Sequence, residues 1–392
     1  MKILVLNSGS SSLKYQLFSV NNDSYEVIAK GLAERIGIKG SMVSIKYANG
    51  EKKSVAIDLP THNEALREVF NLLLNGAISS LEEISAVGHR TVHGGEKFKS
   101  SVLITEEVIK TIEDLSQLAP LHNPAGVLGI RAVQKALPSV PQVAVFDTAF
   151  HQTMPKEAFL YGLPLEQYTE HQIRRYGMHG TSHQFVSEEC AKLIGKKGKI
   201  ITCHLGNGAS ISAIDNGECK DTSMGFTPLA GVIMGTRCGD IDPYIPIHIM
   251  KYQNKTADEV NNLLNKQSGM LGLSGYSDMR DVETQYLAGD QRAIEALNTY
   301  AYTLVKFIGS YIAALGGVDA IVFTAGIGEN SPIIRKMVLE RLSYLGIAVN
   351  EENNNKRGDT IEITTPDSKV KAFVIPTNEE LVIAKDTVRL SK

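Results

Sequence analysis

A chain of 392 residues is longer than one ordinary core supports, so two domains are expected. With 43% hydrophobic and 21% charged residues and a net charge of −3, it reads as globular and gives no electrostatic case for nucleic acid or an anionic membrane as partner. The four cysteines, Cys190, Cys203, Cys219 and Cys238, follow no C-x-x-C spacing and are read as reduced thiols of a cytoplasmic protein.

In chain order, residues 3–6 form an apolar run too short for a secretory signal core, so it is read as a strand. It meets the loop Asn7-Ser8-Gly9-Ser10-Ser11-Ser12, and residues 13–18 read as a second strand. Ala48-Asn49-Gly50-Glu51 is a hairpin signal between two alternating runs. Residues 65–74 have helical spacing, 84–87 form a strand, and Gly88-His89-Arg90-Thr91-Val92-His93-Gly94-Gly95 reads as a loop. A strand over 142–146 ends on Asp147. After Gly198 the pattern restarts, with a strand over 199–204, the loop Leu205-Gly206-Asn207-Gly208, a strand over 209–214, and the hairpin Asp215-Asn216-Gly217-Glu218. A helix over 296–315, a strand over 319–323 and the loop 325–330 follow. The last expected strand, 370–375, leads to Thr377-Asn378-Glu379-Glu380, which reads as a capped helix start and as a candidate metal-binding segment.

The chain therefore describes itself twice. Each half begins with antiparallel strands around a tight polar turn and later feeds helices and strands that end in glycine-rich loops. Two such α/β halves place their loops at strand carboxyl ends, where ligands of open sheets sit. The Ser/Gly hairpin offers backbone N–H groups and hydroxyls to phosphate oxygens, with Lys14 as a point charge; alone it is equally a surface turn. Together with Leu205–Gly208 and 326–330 it suggests a polyphosphate ligand. No G-x-x-x-x-G-K-[ST] occurs, and 326–330 lacks the third glycine of a dinucleotide fingerprint. Arg90, His122, His179 and Arg237 each stand near a glycine or proline, and such cations suit a transferring phosphoryl group. Asp147 at a strand end either caps the next segment or orients a nucleophile. His179 and His183 have a zinc spacing but lack the glutamate of H-E-x-x-H, so magnesium is the expected metal.

These stretches, with Phe146-Asp147-Thr148-Ala149-Phe150, His179-Gly180-Thr181-Ser182-His183 and Gly235-Thr236-Arg237, jointly resemble the acetate kinases, in order along essentially the whole chain. The resemblance implies duplicated actin-like (ribonuclease H-like) α/β domains, 1–148 plus 381–392 and 149–380, closing over an ATP cleft. It implies transfer of the ATP γ-phosphoryl group to acetate. Arg90 and Arg237 would bind carboxylate and phosphoryl oxygens. Asp147 would act as acid/base or orienting group, with His179, Arg237 and His122 in catalysis. Asn7 and Glu379 would hold Mg²⁺, or Mn²⁺ in its place. Ser10, Ser12, Lys14, His204, Leu205, Gly206, Asn207, Gly208, Asp278, Met279, Arg280, Gly326, Ile327, Gly328, Glu329 and Asn330 would line the ATP site. Val92, Leu121 and Pro228 would form the pocket for the acetate methyl. Met178, in place of an aromatic residue, and Cys238, in place of a small one, depart from the family's commonest pattern. A homodimer is implied by the resemblance alone. Propionate or butyrate phosphorylation, and a non-catalytic ATP-driven clamp, are the alternatives.

Overall fold

The computed structural model describes every residue except Leu121, so the expectation for that residue lies outside the described part. Two compact units are present: Met1–Phe150 with Asn378–Lys392, and His151–Thr377.

The first unit is built on β1 (Lys2–Ser8), β2 (Ser12–Asn21), β3 (Ser24–Glu34), β4 (Met42–Tyr47), β5 (Lys52–Ala56), β6 (Ile84–Thr91), β7 (Val102–Leu103) and β8 (Gln142–Phe146), in the order β5-β4-β3-β2-β1-β6-β8-β7. β1 pairs antiparallel with β2 and parallel with β6, and β6 pairs parallel with β8. Both faces of β1 are covered, which is why it is continuously apolar instead of alternating. Leu4 and Leu6 join one buried cluster, while Ile3 and Val5 join another with Ile383, Ala384 and Val388 of the helix Glu379–Leu390. That helix starts where its sequence signals it, since the Asn378 side chain accepts from the Leu381 N–H at 3.1 Å and two glutamates fill the first turn. It can approach β6 because residue 88 is glycine: a Cβ there would stand 2.2 Å from Thr387 Oγ1.

The second unit holds β9 (Lys199–Leu205), β10 (Ala209–Asp215), β11 (Glu218–Thr222), β12 (Ala320–Thr324), β13 (Ile361–Glu362) and β14 (Lys371–Val374), in the order β11-β10-β9-β12-β14-β13. Here β9 pairs antiparallel with β10 and parallel with β12, and β12 pairs parallel with β14. The run β3-β2-β1-β6-β8 of the first unit and the run β11-β10-β9-β12-β14 of the second have the same order and directions. The internal repeat is thus a duplicated actin-like α/β topology. Asn216 and Gly217 take φ of 54° and 87°, as the hairpin signal requires.

Four expectations about loops are corrected. β1 runs through Asn7 to Ser8, and β6 runs through Arg90 to Thr91, because Asn7 pairs with both Lys14 and Arg90 across the sheet. Leu205 likewise closes β9, opposite Ala209. Residues Ala325–Asn330 form a short helix rather than an open loop. Its own side chains close it: Glu329 accepts from the Ala325 N–H at 2.8 Å and Asn330 donates to the Gly326 carbonyl at 2.9 Å. Among the described residues no helix is long and apolar enough to cross a membrane.

Candidate active site

In the first unit, neighbouring strand ends gather the charged groups. Asn7 on β1 lies opposite Arg90 on β6, and Asp147 follows β8 directly. The Arg90 guanidinium grips Asp147 with two nitrogens, Nε at 3.0 Å from Oδ1 and Nη2 at 2.6 Å from Oδ2. Glu379 Oε2 stands 3.8 Å from Arg90 Nε. Asp147 is 1% exposed and Arg90 23%. Burial is the largest influence on Asp147 and lifts its carboxyl above the ordinary range, with Arg90 pulling against it. The same carboxylate, opposed by burial, pushes the Arg90 guanidinium further up, so Arg90 is a fixed cation. His122, at the start of the helix Asn123–Ala136, adds its field to Asp147. Val92 is half-buried just beyond β6. Ser10 is exposed and Ser12 half-buried in the first hairpin, and Lys14 is engaged by Glu380.

In the second unit His179 takes the left-handed conformation, φ 59° and ψ 27°, immediately before the helix Gly180–Leu193. Such a φ costs a non-glycine residue about 1–3 kcal/mol and is held by its surroundings. The His179 ring stacks on His204, with centroids 4.1 Å apart, and its Nδ1 is 2.9 Å from Ser210 Oγ. His204 in turn bonds through Nδ1 to Ser182 Oγ at 2.8 Å. Arg237 donates to the Pro228 carbonyl at 3.1 Å and reaches Met234 Sδ at 3.7 Å. Among the described residues no acid pairs with Arg237, and burial pulls its guanidinium below its usual value. Met178 is buried, and its carbonyl accepts from His151 Nε2 at 2.9 Å.

A cavity of about 710 Å³ in this unit is lined by Gly206, Asn207, Asp278, Met279, Arg280, Gly326, Ile327 and Asn330. Ala325 makes the tight strand-to-helix turn beside it at φ 64°. Asp278 is held down to about 2, first by the Arg280 side chain and then by the Arg280 N–H. Other residues expected at the nucleotide do not line this cavity. Leu205 is fully buried, Gly208 accepts from Gly206, and a Cβ on Gly328 would stand 3.2 Å from the Phe323 carbonyl carbon. Glu329 braces Ala325 and Thr377. Ser277, Glu283, Ser331 and Arg357 also line the cavity and were missed. Glu283 had a signal, since it lies one helical turn beyond Arg280 on the helix Met279–Leu287. Arg357 carried none. Gly235 sits where a Cβ would come 2.0 Å from Asn207 Oδ1. Gly235→Ala is therefore expected to turn the Asn207 side chain away from its present position, a displacement read directly in a crystal structure of the variant.

A repeated actin-like topology with a cavity lined by Gly206 and Gly326 defines a duplicated actin-like α/β architecture. The chain belongs to the acetokinase family, whose model matches residues 2–385. It is 56% identical to the acetate kinase of Halothermothrix orenii over 397 aligned residues, covering 100% of this chain and 99% of that protein. A crystal structure of the Porphyromonas gingivalis acetate kinase has a TM-score of 0.95 at 46% identity, covering 100% of both chains. A propionate kinase from Francisella tularensis has a TM-score of 0.93 at 43% identity, covering 99% of both chains.

Proposed function

We propose that this chain transfers the γ-phosphoryl group of ATP directly to acetate, giving acetyl phosphate and ADP, with Mg²⁺ as the metal. The observation that carries the reading is the contrast between two guanidinium groups. Arg90 is locked onto a buried carboxylate, whereas Arg237 is half-buried and among the described residues bonds to a carbonyl and a thioether. A cation kept out of water without an acid is completed by an anionic phosphoryl group.

Acetate is already ionised at neutral pH, so no strong base is needed. Asp147 is engaged on both oxygens by Arg90, which supports an orienting role over proton removal. Arg90 then presents its remaining N–H groups to the acetate carboxylate. Arg237 and His179 meet charge developing on the transferring group. Gly206 and Gly326, without side chains, leave room for the nucleotide to approach the backbone. Asn7 and Glu379 offer hard oxygen donors, amide and carboxylate, which suit Mg²⁺ and its preference for few protein ligands. When bound, the ion neutralises phosphate charge.

The test is an acyl-hydroxamate assay with acetate, propionate and butyrate. Acetate is expected to give the highest kcat/KM. Preference for propionate would assign the chain to the other carboxylate, and ATP turnover independent of any short acid would overturn the kinase reading.

A further inference from the structure

Behind His179 lies a buried chain of hydrogen-bonding groups drawn from three elements of the second unit. Thr202 on β9 has its Oγ1 2.7 Å from His183 Nδ1, and His183 Nε2 is 2.7 Å from Ser210 Oγ on β10. Ser210 Oγ is 2.9 Å from His179 Nδ1. Thr202, His183 and Ser210 are all fully buried. His183 is kept neutral, its ring held well below the usual range first by burial and then by His151 and His204.

Proton counting restricts the chain. A hydroxyl has one proton to give, and a neutral imidazole has one N–H and one lone pair. If His179 donated from Nδ1, Ser210 would either donate to His183 Nε2, making His183 Nδ1 donate to Thr202, or accept from both rings. The hydroxyl proton of Thr202 in the first case, or of Ser210 in the second, would then be buried with no acceptor among the described residues. In the reverse direction Thr202 donates to His183 Nδ1, His183 Nε2 donates to Ser210, and Ser210 donates to His179 Nδ1. Every member is then satisfied, as buried polar groups require. We propose that Thr202, His183 and Ser210 act as positioning residues that hold neutral His179 in the tautomer with its proton on Nε2. His179 thereby presents an uncharged N–H donor on the side of the ring away from Ser210. The catalytic significance rests on the role assigned to His179 above; the tautomer itself does not.

The test is ¹⁵N–¹H correlation NMR of protein labelled at its histidine rings, with His179 assigned by its loss in His179→Gln. The free enzyme is expected to show His179 protonated at Nε2 and bare at Nδ1 at neutral pH. Ser210→Ala and Thr202→Val should each move His179 toward a mixture of tautomers. Ser210→Ala is expected to lower kcat about tenfold while KM for acetate and ATP stays within about twofold. A wild-type His179 carrying its proton on Nδ1, or the same tautomer populations in all three proteins, overturns the proposal. The wild-type spectrum alone decides if neither variant folds. If the tautomers shift as expected but His179→Gln keeps full turnover, the relay stands and the catalytic role of His179 falls.

Discussion

Arg90→Ala is expected to lower kcat for acetyl phosphate formation about a thousandfold, the scale of losing an arginine at a transferring phosphoryl group. It is also expected to destabilise the protein by about 3–5 kcal/mol, because the variant leaves the Asp147 carboxylate buried and unpaired. The two effects separate by pH. Without the downward pull of Arg90, burial and Glu379 raise the Asp147 carboxyl further. The folded variant then binds a proton that the unfolded chain releases, so its stability falls as pH rises through the window between the two pKa values. Denaturant melts at acid and neutral pH should show the deficit shrinking in acid. Adding Asp147→Asn should restore much of the stability and none of the turnover. An Arg90→Ala enzyme with near-full kcat would remove Arg90 from the chemistry.

Arg237→Ala is expected to cost a comparable hundred- to thousandfold in kcat, but to change stability by only about 1 kcal/mol. Its partners in the folded chain are the Pro228 carbonyl and Met234 Sδ, so no buried acid is orphaned. ATP affinity, measured by titration calorimetry, should change less than threefold. Arg237→Lys should recover little, since an ammonium cannot present the planar fork that two phosphoryl oxygens accept. Stability loss as large as that of Arg90→Ala would show that the guanidinium has a structural partner after all.

The contrast between the two arginines was not legible in the chain. Gly88-His89-Arg90 and Gly235-Thr236-Arg237 look alike as glycine-flanked cations, yet one lies on a strand against a carboxylate and the other has no acid partner among the described residues. Likewise Glu329 reads as a nucleotide contact by its motif, while its carboxylate closes a turn of backbone. His183 had only a poor zinc spacing to recommend it, and its place in a relay depends on β9 and β10 carrying Thr202 and Ser210 to it.

Apolar period, turn chemistry and glycine placement are local properties, and they determined the strands, the hairpins, the capped helix at Asn378 and the duplication itself. Which polar groups pair is a property of distance between residues far apart in the chain. Arg90 to Asp147 and His179 to Ser210 were decided only when the sheets formed, because burial of Asp147 and Ser210 forces each to find a partner that spacing alone does not name.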